Sequence, residues 1–76
     1  MPKPIRGNRL LRRLGGRVRE ARVAKGLSQE GLALAVGMDR SYVSGLERGE
    51  FNVSVLKLAK IAKTLDVAMS ALLEGE

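Results

Sequence analysis

No cysteine and no histidine occur among the 76 residues, and Tyr42 and Phe51 are the only aromatics. The first absence excludes disulfides and thiolate metal sites; the second removes the commonest general base and the commonest metal ligand. Two aromatics make a poor stacking platform for single-stranded RNA. No glycine-rich phosphate loop follows a strand pattern and no paired carboxylates recur, so an enzyme is not expected, nor a cofactor or metal. No apolar run approaches the ~18 residues that span a bilayer, and no secretory pattern is seen, so a cytoplasmic protein without membrane contact is expected. Strand-like alternation is missing too, which leaves an all-α domain, small enough for only a marginal core.

What is present is positive charge, unevenly placed. The net charge is +6. Residues 1–25 hold nine Lys/Arg against Glu20 alone, whereas residues 26–76 hold five against seven acids. A field concentrated at one end of a chain points to a polyanionic partner. Met1 to Asn8 carries both prolines and two cations, Lys3 and Arg6, without periodicity. It reads as a flexible basic arm, suited to a phosphate backbone or a minor groove, ahead of one domain over residues 9–76.

Helical spacing then recurs. A first helix is predicted from Arg9, with Asn8 as its candidate cap, to Lys25, with Leu10, Leu14, Val18 and Ala21 as its apolar stripe. Gly15 and Gly16 interrupt it at a cost of ~1 kcal/mol each relative to alanine, which predicts fraying before Leu14. Ser28 is placed as N-cap of a second helix, Gln29 to Val36, with Leu32, Ala33 and Val36 inward. Gly37 marks a turn requiring positive φ, and Met38 is expected beneath it. Asp39 is placed as N-cap of a third helix, Arg40 to Arg48, with Val43 and Leu46 inward and Gly49 terminating it. Ser54 should cap a fourth helix with Val55, Leu58, Ile61, Ala62 and Leu65 as its core face. Lys57, Lys60 and Lys63 share the opposite face, where a solvated stripe is expected. Asp66 stands where glycine usually ends a helix, and a last helix covers Ala68 to Leu73.

Two short helices joined through Gly37 have the layout of a helix-turn-helix, whose second helix enters the major groove. Arg40, Ser41 and Ser44 lie on its outward first turns and are the candidates for base contacts: arginine can bond guanine O6 and N7 together, and serine can bond any base edge. Tyr42 and Arg48 are candidates for backbone contacts. So is Gln29, at a helix N-terminus where free amides favour anions. Gly45 is placed outward, either for close approach to DNA or as a packing looseness. Leu56 and Phe51 fit no core stripe. Leu56, Met69, Leu72 and Leu73 together exceed what a small core needs, and are the candidates for a dimer contact.

The segments GLSQ (Gly26 to Gln29), Leu32-Ala33, Val36-Gly37 and SYVSGLERG (Ser41 to Gly49) resemble the Cro/lambda-repressor (Xre-like) class of transcriptional regulators, over roughly Leu14 to Leu73. The string DRSYVSGLERGEFN, followed by a lysine-studded helix, resembles restriction–modification controller proteins. Gly31 departs from the pattern, which often has glutamate there, and so removes a capping box. The resemblance implies a compact five-helix fold and an ion pair between Arg22 and Glu47. It also implies a DNA-backbone contact by Gln29 and homodimers on pseudo-palindromic double-stranded DNA. Activation would need an acidic patch facing RNA polymerase, for which Glu30 and Glu50 are the candidates. The alternative on the same fold is an antitoxin or assembly module whose main partner is another protein.

Overall fold

The computed structural model describes residues 8–74, and the predicted arm lies, apart from Asn8, outside the described residues. The order is α1 (Arg9–Ala24), α2 (Gln29–Val36), α3 (Arg40–Glu47), α4 (Val55–Leu65) and α5 (Met69–Leu73). No strand occurs among the described residues, and no helix among them is long and apolar enough to cross a membrane. Asn8 does cap α1: its Oδ1 accepts from the Leu11 amide at 2.9 Å. Ser28 and Ser54 cap α2 and α4 in the same way, through the Gly31 and Lys57 amides. Asp39 occupies the N-cap position of α3, but its side chain makes no capping bond.

Helices α1 to α4 end alike. The residue beyond each last turn is left-handed, and the amide after it reaches back to close the turn: Leu27 to Arg22, Met38 to Ala33, Glu50 to Gly45 and Val67 to Ala62. This is the Schellman closure, which satisfies carbonyls that the helix end leaves open. Glycine provides it at three of these ends, and Asp66 does so at the fourth with φ 61°. A side chain in that region is strained by its Cβ. Asp66→Gly is therefore expected to raise the stability of the domain by about 0.5–1 kcal/mol, read as a higher urea midpoint at unchanged slope. A lower midpoint would mean that the Asp66 side chain supplies more than the strain costs.

The core is formed where α2 meets α3 and α4, and where α1 crosses α3 and α5. Val18, Leu32, Val36, Val43, Leu46 and Ile61 are its fully buried side chains, with Leu14, Leu58, Leu65 and Leu72 around them. Several edges of this core differ from the predicted stripes. Leu11 is buried and Leu10 is 56% exposed, so the stripe of α1 begins one residue later than periodicity suggested. Val55 is 69% exposed, because the core face of α4 begins at Leu58. The start of α1 does not give way at its glycines: Gly15 is buried where α1 crosses the end of α3, and a Cβ there would stand 2.4 Å from the carbonyl oxygens of Leu46 and Glu47. Helix propensity is overridden by a close approach of two backbones.

Phe51, which fitted no stripe, is buried beside α3. Gly45 makes room for it: a Cβ on Gly45 would meet the Phe51 ring at 2.8 Å. Gly45 is thus a packing position, not an outward one. Leu72 is 2% exposed and closes the core, so it is not part of any monomer surface that a second chain could cover. Met69 is half-buried against the same core, while Leu56 and Leu73 stay 84% and 47% exposed.

Candidate nucleic-acid interface

The first turn of α3 is open to solvent. Arg40 and Ser41 are exposed, Ser44 is half-exposed one turn on, and Val43 and Leu46 anchor the opposite face in the core. Anchoring by two fully buried side chains fixes how the helix is rotated, and so fixes which residues it presents. Tyr42 lies at the side of this face. Its ring is tilted against Phe51, 4.8 Å between centroids, and the Lys57 ammonium sits over it at 4.6 Å. Burial pushes its phenol above the ordinary tyrosine range, so the hydroxyl keeps its proton at neutral pH and can donate. Lys57 is therefore more than a solvated charge: it reaches from α4 back to the helix-turn-helix.

Behind the reading face, three helices are tied through one carboxylate. The Arg22 Nε donates to Glu47 Oε2 at 2.6 Å and its Nη2 to Glu47 Oε1 at 3.0 Å, while Nη1 donates to the Leu27 carbonyl at 2.8 Å. Gln29 Nε2 also donates to Glu47 Oε1, at 3.0 Å. Arg22 is a buried residue and the Glu47 side chain is only 3% exposed. The hydrogen bond to Glu47 raises the Arg22 pKa against the opposing effect of burial, so this guanidinium stays charged. The network joins the end of α1, the start of α2 and the end of α3. Gln29, read from sequence as facing DNA, has one amide hydrogen turned inward to this network.

Arg48 closes the far side of the face. Its Nε and Nη2 donate to Glu50 at 2.7 and 3.2 Å, and its Nη1 donates to the Ser44 hydroxyl. Two of the six predicted DNA contacts, Ser44 and Arg48, are thus bonded to each other. Arg19, Arg22, Gln29, Ser44, Glu47 and Arg48 line a shallow recess between α1, α2 and α3. Arg19 was not among the predicted site residues, and Glu50 was singled out only for an RNA polymerase contact. Arg19 shares the charge run of α1, which gave no sign of which cations turn toward α3. The described residues contain no cluster of His, Cys, Asp or Glu able to hold a metal.

A family model described as helix-turn-helix matches residues 18–72. The chain is 48% identical over 52 residues to a hypothetical transcription factor of Neisseria meningitidis, covering 68% of this chain and about half (49%) of that relative's length. Among solved structures, the restriction–modification controller protein C.AhdI of Aeromonas hydrophila superimposes with a TM-score of 0.78 at 53% identity, over 82% of this chain and 90% of that one. SinR, a master regulator for biofilm formation solved in complex with DNA, superimposes with a TM-score of 0.76 at 37% identity, over 80% and 98%.

Proposed function

Since this chain belongs to the Cro/lambda-repressor-type (Xre-like) helix-turn-helix transcriptional regulators, and is a sequence-specific DNA-binding protein and not an enzyme, we propose that it acts as a cytoplasmic homodimer on a pseudo-palindromic operator and controls a restriction–modification system. Two copies of α3 would enter successive major grooves about 34 Å apart. Arg40, Ser41 and Ser44 would contact base edges. Gln29, Tyr42 and Arg48 would hold phosphates and set the register, with Arg19 added from the recess. Exposed Leu56 and Leu73, with Met69 partly available beside them, would supply the contact between copies. Glu30, exposed in the first turn of α2, and Glu50, which Arg48 engages in the free protein, are the acidic residues that would face RNA polymerase. The assignment to restriction–modification control rests on the similarity to C.AhdI, which covers most of both chains.

The observation that carries the DNA reading is the open first turn of α3, with Arg40 and Ser41 exposed on a helix whose rotation the core fixes. Selection of duplexes from a random pool, with mass measurement of the retained complex, tests the whole proposal. A palindrome held by two chains is the expected result, and an asymmetric site held by one chain would end the dimer reading. On the selected operator, Arg40→Ala is expected to cost about 1–3 kcal/mol of discrimination while non-specific binding is nearly unchanged. Equal weakening on all sequences would make Arg40 a phosphate contact instead.

A further inference from the structure

Among the described residues, Glu50 is a solvent-exposed acid whose carboxylate is bonded to a candidate DNA contact, Arg48, whereas Glu47, which accepts from Gln29, is buried. The Glu50 carboxylate takes two hydrogen bonds from Arg48. It also lies along α3, where a Cβ on Gly45 would stand 3.3 Å from its Oε1. The turn at Gly49, with φ 72°, brings it there by folding the chain back beside the last turn of the helix. The same arginine holds the Ser44 hydroxyl, so one side chain links the turn to a base-reading position. Both partners are well exposed, at 60% and 44% of their side-chain surface. An exposed pair of this kind is weak enough to be exchanged for another anion.

We propose that Glu50 is an internal competitor for DNA: it occupies the Arg48 guanidinium in the free protein, must yield it to a phosphate on binding, and thereby lowers affinity and sets how far binding depends on salt. The proposal rests on the reading of Arg48 as a phosphate contact. A carboxylate and a phosphate oxygen pair present the same acceptor geometry to the guanidinium fork, and Arg48 cannot serve both with the same two nitrogens. When phosphate displaces Glu50, the carboxylate stays close to the backbone and offsets part of the positive charge delivered to it. The net charge that Arg48 and Glu50 bring together is zero, so the wild-type protein releases fewer counterions than its arginines alone would suggest. The carboxyl is held below the ordinary glutamate range by its hydrogen bonds to Arg48, so the competitor is fully charged at neutral pH.

The test is fluorescence anisotropy with a labelled random-sequence duplex between about 50 and 200 mM KCl, for Glu50→Gln, Arg48→Ala and the double variant. Glu50→Gln is expected to bind about two- to fivefold tighter at the lowest salt, the range over which exposed ion pairs act. Its plot of log K against log salt should steepen by about 0.9, as for one added phosphate contact. In the Arg48→Ala background the same substitution should tighten binding clearly less, because only the residual repulsion between the carboxylate and the backbone is then removed. Equal tightening with and without Arg48 would show that Glu50 merely repels DNA. Weaker binding of Glu50→Gln would show that it orients Arg48 and does not compete for it. Either result overturns the competition. If Arg48→Ala alone leaves affinity and slope unchanged, the assignment of Arg48 to phosphate fails first and the competition falls with it. Thermal melts check that each variant is folded; both side chains are exposed, so no loss of fold is expected.

Discussion

Glu47→Ala is expected to destabilise the domain by about 3–5 kcal/mol, the cost of leaving a buried charge without its partner. The side chain accepts two bonds from Arg22 and one from Gln29. Its removal leaves Arg22 with the Leu27 carbonyl alone, in a residue only 8% exposed. The guanidinium has no neutral form to retreat to at accessible pH. Set against a total stability of ~5–15 kcal/mol for a domain of ordinary stability, such a loss removes a large share of it. Glu47→Gln keeps an acceptor for one of the bonds and should lose less. The double variant Arg22→Met/Glu47→Leu should recover most of the loss, because apolar side chains of similar size carry no desolvation penalty. Urea unfolding followed by circular dichroism separates these cases. A loss below about 1 kcal/mol for Glu47→Ala would mean that water reaches the guanidinium and that the network is not structural.

What could be read from the sequence and what could not divides by the range of the interaction. The serines before α2 and α4 and the glycine after α2 act within a few residues, so Ser28, Gly37, Ser54 and the two helices of the motif stand where local chemistry put them. The Arg22–Glu47 pair spans 25 residues and came from family resemblance, not from spacing. The misplacements share a different cause. Leu10 and Leu11 both stand at helical spacing from Leu14, and only the crossing of α1 over α3 selects Leu11. Leu72 and Leu73 are likewise neighbours, and the docking of α5 on α1 and α4 buries the first. Gly45 and Phe51 are complementary in shape across a turn, a relation that periodicity along one helix does not contain. Glu50 meets Arg48 only because Gly49 reverses the chain between them. Where the outcome depended on one helix finding another, the sequence pattern allowed two answers.

The glycine pair in α1 turns this distinction into an experiment. Gly15→Ala and Gly16→Ala make the same chemical change at adjacent positions of one helix. Each should gain ~0.5–1 kcal/mol from helix propensity and a stiffer unfolded chain. Nothing lies within 4 Å of a Cβ placed on Gly16, so that gain is expected in full. At Gly15 the added carbon would stand 2.4 Å from two carbonyl oxygens and 2.7 Å from the Glu47 carbonyl carbon. These are backbone atoms of α3 and cannot rotate aside as a side chain could. Relief requires α1 and α3 to part, and the same junction is as close one turn earlier in α1, where the Arg12 backbone nitrogen would be 2.6 Å from a Cβ on Gly49. Overpacking of this kind costs ~1–3 kcal/mol where side chains can adjust and more where they cannot, so a net loss of about 3 kcal/mol is expected for Gly15→Ala. The displacement would also strain the Arg22–Glu47 bonds, because Glu47 carries one of the crossing carbonyls, and DNA affinity should fall with stability. Opposite signs for the two variants in urea unfolding would show that the crossing of α1 and α3 governs this helix. Gains at both would show that the helices can slide apart freely, and propensity alone would then account for its first turns.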